Sequence, residues 1–448
     1  MIYLVLSIMP VFIQNSLISL YNTWQYMVRH GGKYSFYKEY YQYFSKSSET
    51  EIRAEHKRRL DDFLKLSVGK SKFYFPYRSF IDLNDFPILN KEDVINSLDH
   101  ITTIKEKYAL VSLTGGTTGA SMKVLYTKEN IQERHAMLDH FREQYGYKLG
   151  NKCAWFSGKN IVTELDLKKG ICYRYDYINK IRFFSTFHIT EKNFDVYWTA
   201  FCKFAPEYMV GFPSSVYEIC AMAAARGLKL ENTVRAFFPT AETVLPVHRE
   251  VIGSVLGCKI ADQYASSEGA PFILECKHGG LHIHPLTGVF EVVDENMQPA
   301  QEGEILVTSF TTEGTPLIRY RIGDRIKLAS EDKVCACGSF FPLVEKIEGR
   351  STAYIFSPTH GKVNLGNISN STKGVKGIIQ FQVIQNELSR VEVLVFATNE
   401  FNKSEQVKFK QALAERFGPE MEIKINCVED IAKEQSGKFR IVKNNLKL

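Results

Sequence analysis

The stretch Leu113–Thr114–Gly115–Gly116–Thr117–Thr118–Gly119 follows an apolar run, Ala109–Leu110–Val111, after one serine. Its glycines and threonines predict a loop whose backbone N–H groups and hydroxyls can surround a polyanion. The loop lacks the Gly-Lys-Ser/Thr ending of a P-loop and the G-x-G-x-x-G spacing of a dinucleotide site. Composition alone therefore leaves two alternatives open, a phosphate-binding loop and an ordinary surface turn.

The overall composition is that of a globular protein with a sizeable core. The chain has 448 residues, 44% hydrophobic and 24% charged, which is enough for about two to three domains. The net charge of +6 is spread in short basic runs such as Lys57–Arg58–Arg59, and no basic stripe with interleaved aromatic residues indicates nucleic-acid binding. The nine cysteines lie mostly singly in apolar surroundings, which favours free thiols in a reducing compartment.

The N-terminus is apolar, and Met1 to Leu20 contains no charged residue. The basic start and small-residue cleavage site of a signal peptide are missing, and Pro10 and several polar residues interrupt a membrane span. We expect a helix that either packs on the body of the protein or lies in a membrane interface. The expected location is cytoplasmic, with contact to the inner face of the membrane left open.

Hydrophobic patterning predicts an α/β protein in three parts. Residues 1–75 form an N-terminal segment, helical from about residue 21. Within residues 76–350, apolar runs at 154–156, 208–210 and 236–238 predict buried strands, a helix follows at 216–226, and alternating runs at 281–284, 289–293 and 303–308 predict antiparallel strands. Residues 351–448 predict a small α+β domain, with strands at 378–383, 390–396 and 422–425 and a helix at about 404–417.

Six short segments occur in a fixed order along the chain. They are the Gly/Thr loop at 114–119, Ala241–Glu242–Thr243, Tyr264–Ala265–Ser266–Ser267–Glu268, Arg319–Tyr320–Arg321–Ile322–Gly323–Asp324, Gly349–Arg350 and Gln435–Ser436–Gly437–Lys438–Phe439–Arg440. In this order they resemble the motifs of the adenylate-forming superfamily, and within it the phenylacetate–coenzyme A ligase family. The resemblance implies a large N-terminal domain with mixed sheets and a smaller, mobile C-terminal α+β lid.

The resemblance also implies a role for each segment. Tyr264 would stack on adenine, Asp324 would bind the ribose hydroxyls, Glu268 would hold Mg²⁺, and Arg350 would mark the interdomain hinge. Lys438 would catalyse adenylation, in which a carboxylate attacks the α-phosphate of ATP and needs a cation between the two anions. The other implied nucleotide-binding residues are Thr114, Gly116, Thr117, Thr118 (also taken as catalytic), Gly119, Ala241, Glu242, Thr243, Ser266 and Ser267.

Further segments resemble the branch of this family found in capsular and surface-polysaccharide biosynthesis. They are the runs at 10–15 and 206–217 and Phe187–His188–Ile189. By this resemblance Phe212, Pro213 and Ser214 shape the acyl pocket and His188 lies beside the substrate carboxylate. A packed or capping histidine is the alternative at His188.

Three cysteines and two histidines have the character of zinc ligands. Cys276, His278 and His282 lie within seven residues of each other, and Cys335–Ala336–Cys337 presents two thiols on one turn. Three thiolates and one imidazole make a closed tetrahedral set for a structural zinc ion, although Cys-x-Cys is a tight spacing and unmetallated thiols are the alternative. Some relatives in the family carry zinc here. We expect Cys276, Cys335, Cys337 and His282 as ligands, with His278 as the substitute.

Together these features predict an ATP-dependent ligase that forms an acyl-adenylate from a small carboxylic acid and passes the acyl group to coenzyme A or an amine, which could belong to a sugar. One departure concerns Arg350–Ser351–Thr352–Ala353, because relatives place acidic residues beside the hinge arginine. This departure puts thioester formation in doubt. The alternative is a catalytically inactive scaffold or regulatory member of a membrane-associated polysaccharide assembly.

Overall fold

A computed structural model describes residues 9–79, 82–113, 122–158, 161–350, 354–365, 368, 370–372, 374–434 and 438–446. The predicted phosphate loop, Thr114 to Gly119, lies outside the described residues, and so does the side chain of Arg350.

In chain order, the helices are α1 (Val11–His30), α2 (Tyr34–Phe44), α3 (Glu49–Lys70), α4 (Lys91–Asn96), α5 (Leu98–Ile101), α6 (Lys128–Glu143), α7 (Glu164–Lys168), α8 (Phe194–Phe204), α9 (Pro213–Ala225), α10 (Pro246–Leu256) and α11 (Lys403–Phe417). The strands are β1 (Leu110–Leu113), β2 (Lys123–Tyr126), β3 (Cys153–Ser157), β4 (Tyr173–Asp176), β5 (Ile181–Ser185), β6 (Tyr208–Gly211), β7 (Ala236–Pro239), β8 (Lys259–Ile260), β9 (Gln263–Tyr264), β10 (Ile273–Glu275), β11 (Leu281–Ile283), β12 (Gly288–Val293), β13 (Glu302–Ser309), β14 (Tyr320–Leu328), β15 (Leu343–Arg350), β16 (Tyr354–Ser357), β17 (Gly361–Asn364), β18 (Ile378–Glu387), β19 (Arg390–Ala397), β20 (Glu422–Cys427) and β21 (Val442–Asn444).

The chain divides into two compact units, each assembled from separate segments. The first unit comprises Met1–Ser19, Gly150–Ile260 and Glu348–Leu448, and the second comprises Leu20–Leu149 and Ala261–Ile347. The boundary predicted near residue 350 lies close to Glu348, whereas the boundary predicted at residue 75 lies inside the second unit. Hydrophobic patterning predicts boundaries along the chain, whereas each compact unit is assembled from segments that lie far apart in the sequence. A boundary between units therefore need not coincide with a change of pattern.

A six-stranded sheet with the order β4–β5–β3–β6–β7–β8 forms the centre of the first unit. The strands from β5 to β8 are parallel, and β4 is an antiparallel edge strand. The runs predicted as buried strands at 154–156, 208–210 and 236–238 are β3, β6 and β7, so those predictions are confirmed. Their side chains are buried on both faces, as expected for a parallel sheet that helices cover.

The C-terminal part of the first unit is a four-stranded sheet with the order β20–β19–β18–β21 and the helix α11. The Asn402 side chain caps α11 by accepting hydrogen bonds from the backbone N–H groups of Ser404 (2.9 Å) and Glu405 (3.2 Å). Phe409, Leu413 and Phe417 of α11 are completely buried in the core of this sheet. The strands predicted at 378–383, 390–396 and 422–425 and the helix predicted at about 404–417 are therefore confirmed.

The second unit contains a seven-stranded sheet with the order β12–β13–β14–β15–β11–β10–β9 and the short hairpin β1–β2. The neighbouring strands whose pairing is defined are antiparallel, as predicted for the runs at 281–284, 289–293 and 303–308. The helices α2, α3 and α6 form a layer in this unit, in which buried Arg59 pairs with Glu133 at 2.6 Å. Helices α1, α2 and α3 confirm the helical character predicted from about residue 21 to residue 75.

A buried polar cluster joins the C-terminal sheet to α9 within the first unit. Lys433 Nζ donates to Glu218 Oε2 (2.8 Å) and to the carbonyl oxygen of Thr186 (2.6 Å), and Gln380 Nε2 donates to the same Glu218 oxygen (3.0 Å). The side chains of Glu218 and Lys433 are 0% and 5% exposed. Burial raises the pKa of Glu218 to about 7, although Lys433 and Gln380 oppose the shift.

The raised pKa of Glu218 predicts a pH dependence of stability. Because the folded protein binds this proton more tightly than the unfolded chain, the free energy of unfolding should fall as the pH rises from about 4.5 to about 7. The Glu218→Gln variant cannot titrate here, so its free energy of unfolding should decline less across this window. Urea denaturation at several pH values measures the difference, with Glu429→Gln, an exposed carboxyl, as the control. Identical pH profiles for Glu218→Gln and the wild type would contradict the assignment.

Candidate functional site

One carboxylate joins three of the predicted site segments in the first unit. Glu242 follows strand β7, after Ala241 in a left-handed backbone conformation with φ of 64°. Its Oε2 accepts a hydrogen bond from the backbone N–H of Ser214 (3.1 Å), and its Oε1 accepts one from the backbone N–H of Phe439 (3.0 Å). The predicted adenine-pocket segment, the predicted acyl-pocket helix and the residue after Lys438 therefore meet at Glu242.

The start of α9 is fixed by the end of strand β6. Gly211 has a φ of 151°, and a Cβ added there would lie 2.2 Å from the carbonyl oxygen of Phe156, so only glycine fits. Phe212 is buried, and Pro213 is the first residue of the helix, where its missing N–H costs nothing. The hydroxyls of Ser214 and Ser215 are buried without a hydrogen-bond partner among the described residues. Two buried donors thus lie where the sequence predicted an acyl pocket.

His188 lies in the first unit, three residues after the end of strand β5. Its Nδ1 makes a hydrogen bond of 3.0 Å with the Ser185 hydroxyl, and its backbone carbonyl accepts from Asn193 Nδ2 (2.9 Å). Burial lowers the pKa of His188, and the positive charge of Lys433 lowers it further against the opposing effect of Glu164. Burial thus favours the neutral form of this imidazole, which Ser185 orients.

In the second unit, the structure brings together the two residues predicted to hold the adenosine. The Tyr264 hydroxyl at the end of β9 donates to Asp324 Oδ2 on β14 at 2.7 Å. This hydrogen bond fixes both the ring of Tyr264 and the direction of the Asp324 carboxylate. An aromatic face beside an oriented carboxylate has the chemistry needed to bind a base and a vicinal diol.

The loop that carries Glu268 is held by two residues that sequence reasoning missed. Arg134 Nη1 donates to the carbonyl oxygens of Gly269 (3.0 Å) and Ala270 (3.1 Å). The Tyr126 hydroxyl donates to the carbonyl oxygen of Ser267 (3.0 Å). Glu268 is buried, and burial, with the charge of Glu268 adding to it, raises the pKa of Tyr126 to about 12. No local sequence pattern marks Arg134 or Tyr126, because their role comes from contacts more than 130 residues away along the chain.

Ser266 has a local role in the same loop. Its hydroxyl accepts a hydrogen bond of 3.1 Å from the backbone N–H of Ala270, which closes the turn around Glu268. Ser266, which the resemblance implies to be a nucleotide-binding residue, stabilises the loop conformation in this structure.

Four potential metal ligands also converge in the second unit. The ligand atoms of Cys276, His282, Cys335 and Cys337 all lie within 4.8 Å of one another. Cys276 Sγ is 3.6 Å from Cys335 Sγ, and Cys337 Sγ is 3.3 Å from His282 Nε2. Ligands about 2.3 Å from a shared zinc ion would be about 3.8 Å apart in a tetrahedron, close to the observed thiol separation. His278, the alternative ligand, is exposed outside this group.

The surroundings of the four side chains fit a metal ion. His282 Nδ1 lies 3.2 Å from the carbonyl oxygen of Phe341, an arrangement that leaves Nε2 directed at the thiols. A Cβ added at Gly280 would lie 2.7 Å from Cys335 Sγ, so a larger residue would close the space between the ligands. The three cysteines are free thiols, and the described cysteines form no disulfide that would remove a ligand from the site.

Comparison with known proteins identifies the family. The model of the CapK C-terminal domain matches residues 355–445. Protein CapK of Staphylococcus aureus is 32% identical over 416 residues, which cover 92% of this chain and 88% of CapK. Indoleacetate–lysine synthetase of Pseudomonas savastanoi is 23% identical over 76% of this chain and 82% of that protein.

Comparison with solved structures supports the fold. A 2-hydroxyisobutyryl-CoA ligase in its postadenylation state matches with a TM-score of 0.69 at 15% identity, covering 87% of this chain and 89% of the ligase. The predicted fold class and the predicted superfamily are thus confirmed. The chain belongs to the CapK family, a branch of the adenylate-forming superfamily of AMP-forming ligases.

Proposed function

We propose that this protein is an ATP-dependent carboxylate ligase that works through an acyl-adenylate in surface-polysaccharide biosynthesis. The observation that carries this proposal is the Glu242 carboxylate, which links the start of α9 to the residue after Lys438. Membership of the CapK family supports the polysaccharide role. The acceptor is a thiol or an amine, since the comparison proteins include both a CoA ligase and an acid–lysine synthetase.

In the proposed first step, a carboxylate oxygen attacks the α-phosphorus of ATP, the bond to the bridging oxygen breaks, and pyrophosphate leaves. Lys438 places its positive charge between the two anions. Tyr264 and Asp324 hold the adenosine, and the start of α9 positions the acid. In the second step the acceptor attacks the carbonyl carbon of the acyl-adenylate, and AMP leaves with the bonding electrons.

Glu268 is the proposed ligand for Mg²⁺, which neutralises phosphate charge when it is bound. One carboxylate, completed by substrate phosphates and water, is the ordinary ligand set of this ion. Glu268 fits because its carboxylate is buried on a loop that Arg134 and Tyr126 hold in place.

We also propose that Cys276, His282, Cys335 and Cys337 hold a structural zinc ion. The ion would join the β10–β11 turn to the segment before β15, because its ligands come from both. Such a closed set of four protein ligands leaves no position for a substrate, so its contribution is to stability.

The first test concerns Lys438. We expect Lys438→Ala to lower the rate of pyrophosphate–ATP exchange by about 10²–10³-fold, because the cation at the developing charge is lost. The assay uses the full chain with a panel of aryl, hydroxy, amino and uronic acids. Lys424→Ala, an exposed lysine on β20, is the matched control and should keep the wild-type rate. Unchanged exchange in Lys438→Ala would contradict the proposed mechanism.

The second test concerns Glu242 as a positioning residue. Glu242→Gln can accept only one of the two backbone hydrogen bonds, so we expect exchange to fall by about 10–10²-fold through misplacement of Lys438. Burial raises the pKa of Glu242, so wild-type activity should fall with decreasing pH, beginning above the usual range of a carboxyl group. That acid limb should be missing in Glu242→Gln.

Glu250→Gln, an exposed carboxyl on α10, is the control for Glu242. Melting temperatures separate positioning from simple unfolding. If Glu242→Gln loses activity only in proportion to lost stability and keeps the acid limb, the positioning role is wrong.

The third test concerns the metal. We expect about one zinc ion per chain in the purified protein by elemental analysis, and loss of that ion together with a melting temperature several degrees lower in Cys337→Ser. Cys427→Ser removes an exposed thiol far from this group in sequence and should change neither quantity. Zinc-free protein whose stability does not respond to Cys337→Ser would refute the metal site.

A further inference from the structure

Helix α1 has its polar side inward. Gln14, Asn15 and Ser19 are its buried residues, whereas large apolar residues of the same helix are exposed. Amphipathic helices of globular proteins normally show the reverse arrangement.

The polar side is buried because it serves the edge of the six-stranded sheet. Asn15 Oδ1 accepts a hydrogen bond from the backbone N–H of Tyr175 (3.0 Å), and Ser19 Oγ accepts one from that of Tyr177 (2.9 Å). Tyr175 lies on the edge strand β4 and Tyr177 directly follows that strand, so these side chains accept hydrogen bonds where a neighbouring strand is missing. Gln14 Oε1 also accepts from Nε of the buried Arg174 (2.7 Å). The orientation of the helix is therefore fixed by hydrogen bonds.

The outer side of α1 consequently presents apolar side chains to the surroundings. At 100° per residue, its exposed apolar residues, apart from Tyr26, fall within about half of the helix circumference. Five of them are between 53% and 64% exposed: Phe12, Leu20, Tyr21, Trp24 and Met27. Leu17 on the same side is 41% exposed. An apolar strip of this length, interrupted by the exposed Ser16, marks a surface that another phase or molecule covers.

The charges around this strip indicate what covers it. Residues 1–38 contain Arg29, Lys33 and Lys38 and no acidic residue, although Lys38 pairs with Glu143 and Glu39 follows it. Arg29 and Lys33 are therefore the cations that carry the argument. The sequence before the helix, Met1–Ile2–Tyr3–Leu4–Val5–Leu6–Ser7–Ile8, is apolar and uncharged. Tryptophan and tyrosine beside aliphatic residues, followed by basic residues, suit the boundary between acyl chains and anionic headgroups.

We propose that the outer side of α1 binds the surface of an anionic phospholipid bilayer, with the helix lying parallel to the membrane plane. Among the described residues, no helix has the length and apolar character required to cross a membrane. The inference goes beyond the proposed function, since it concerns where the protein is held and not what it catalyses.

The test is flotation of the full-length protein with vesicles on a density gradient. Vesicles of phosphatidylcholine alone are compared with vesicles in which about a third of the lipid is phosphatidylglycerol. The wild type should float with the anionic vesicles and less with the neutral ones. The variant Leu20→Gln/Trp24→Gln should lower the partition coefficient about tenfold or more, since it removes apolar side chains from the strip.

The matched control is Leu388→Gln/Val407→Gln, which changes two exposed apolar residues elsewhere and should float like the wild type. Both variants keep residues 1–8, so a difference between them assigns binding to the helix side itself. Circular dichroism verifies that each variant is folded. Failure of the wild type to float, or equal flotation of Leu20→Gln/Trp24→Gln, would overturn the proposal. A wild-type dimer that this variant converts to a monomer would assign the strip to a second copy and would overturn it too.

Discussion

The packing of the C-terminal sheet against the layer around α9 is the interaction on which the arrangement of the first unit depends. Ile379, Phe396 and Ile431 enter the apolar core of the six-stranded sheet. Burial of each such side chain contributes about 1.5–3 kcal/mol, whereas a buried ion pair such as Lys433–Glu218 adds little net stability. The apolar contacts therefore stabilise the packing, and the ion pair with Gln380 specifies its position.

The position of the C-terminal sheet matters because Phe439, which shortly precedes strand β21, contacts Glu242 of the candidate site. The N–H of this residue meets Glu242 only if the four-stranded sheet is seated correctly on the layer around α9. A carboxylate that accepts two backbone hydrogen bonds is a strong and directional anchor. Structural contacts and proposed chemistry thus converge on a short stretch next to Lys438.

Hydrogen-bonding needs of the backbone explain two features that composition would not suggest. The apolar strip of α1 faces outward because the edge of β4 requires the polar residues Asn15 and Ser19. Similarly, buried Arg134 is tolerated because it satisfies carbonyl groups of the Glu268 loop. In both places polar side chains satisfy backbone groups, and this accounts for the unusual placement of the side chains.

The sequence by itself determined the superfamily, the fold class and the positions of strands such as β3, β6 and β7, because motif order and hydrophobic periodicity are local properties. Tertiary structure alone decided that His282 and not His278 lies with the three thiols, and that both Glu242 oxygens are engaged. It also revealed Arg134 and Tyr126 as supports of the Glu268 loop. These features depend on contacts between residues as much as 197 positions apart, as for Glu242 and Phe439, and no periodicity within a helix or strand encodes such a contact.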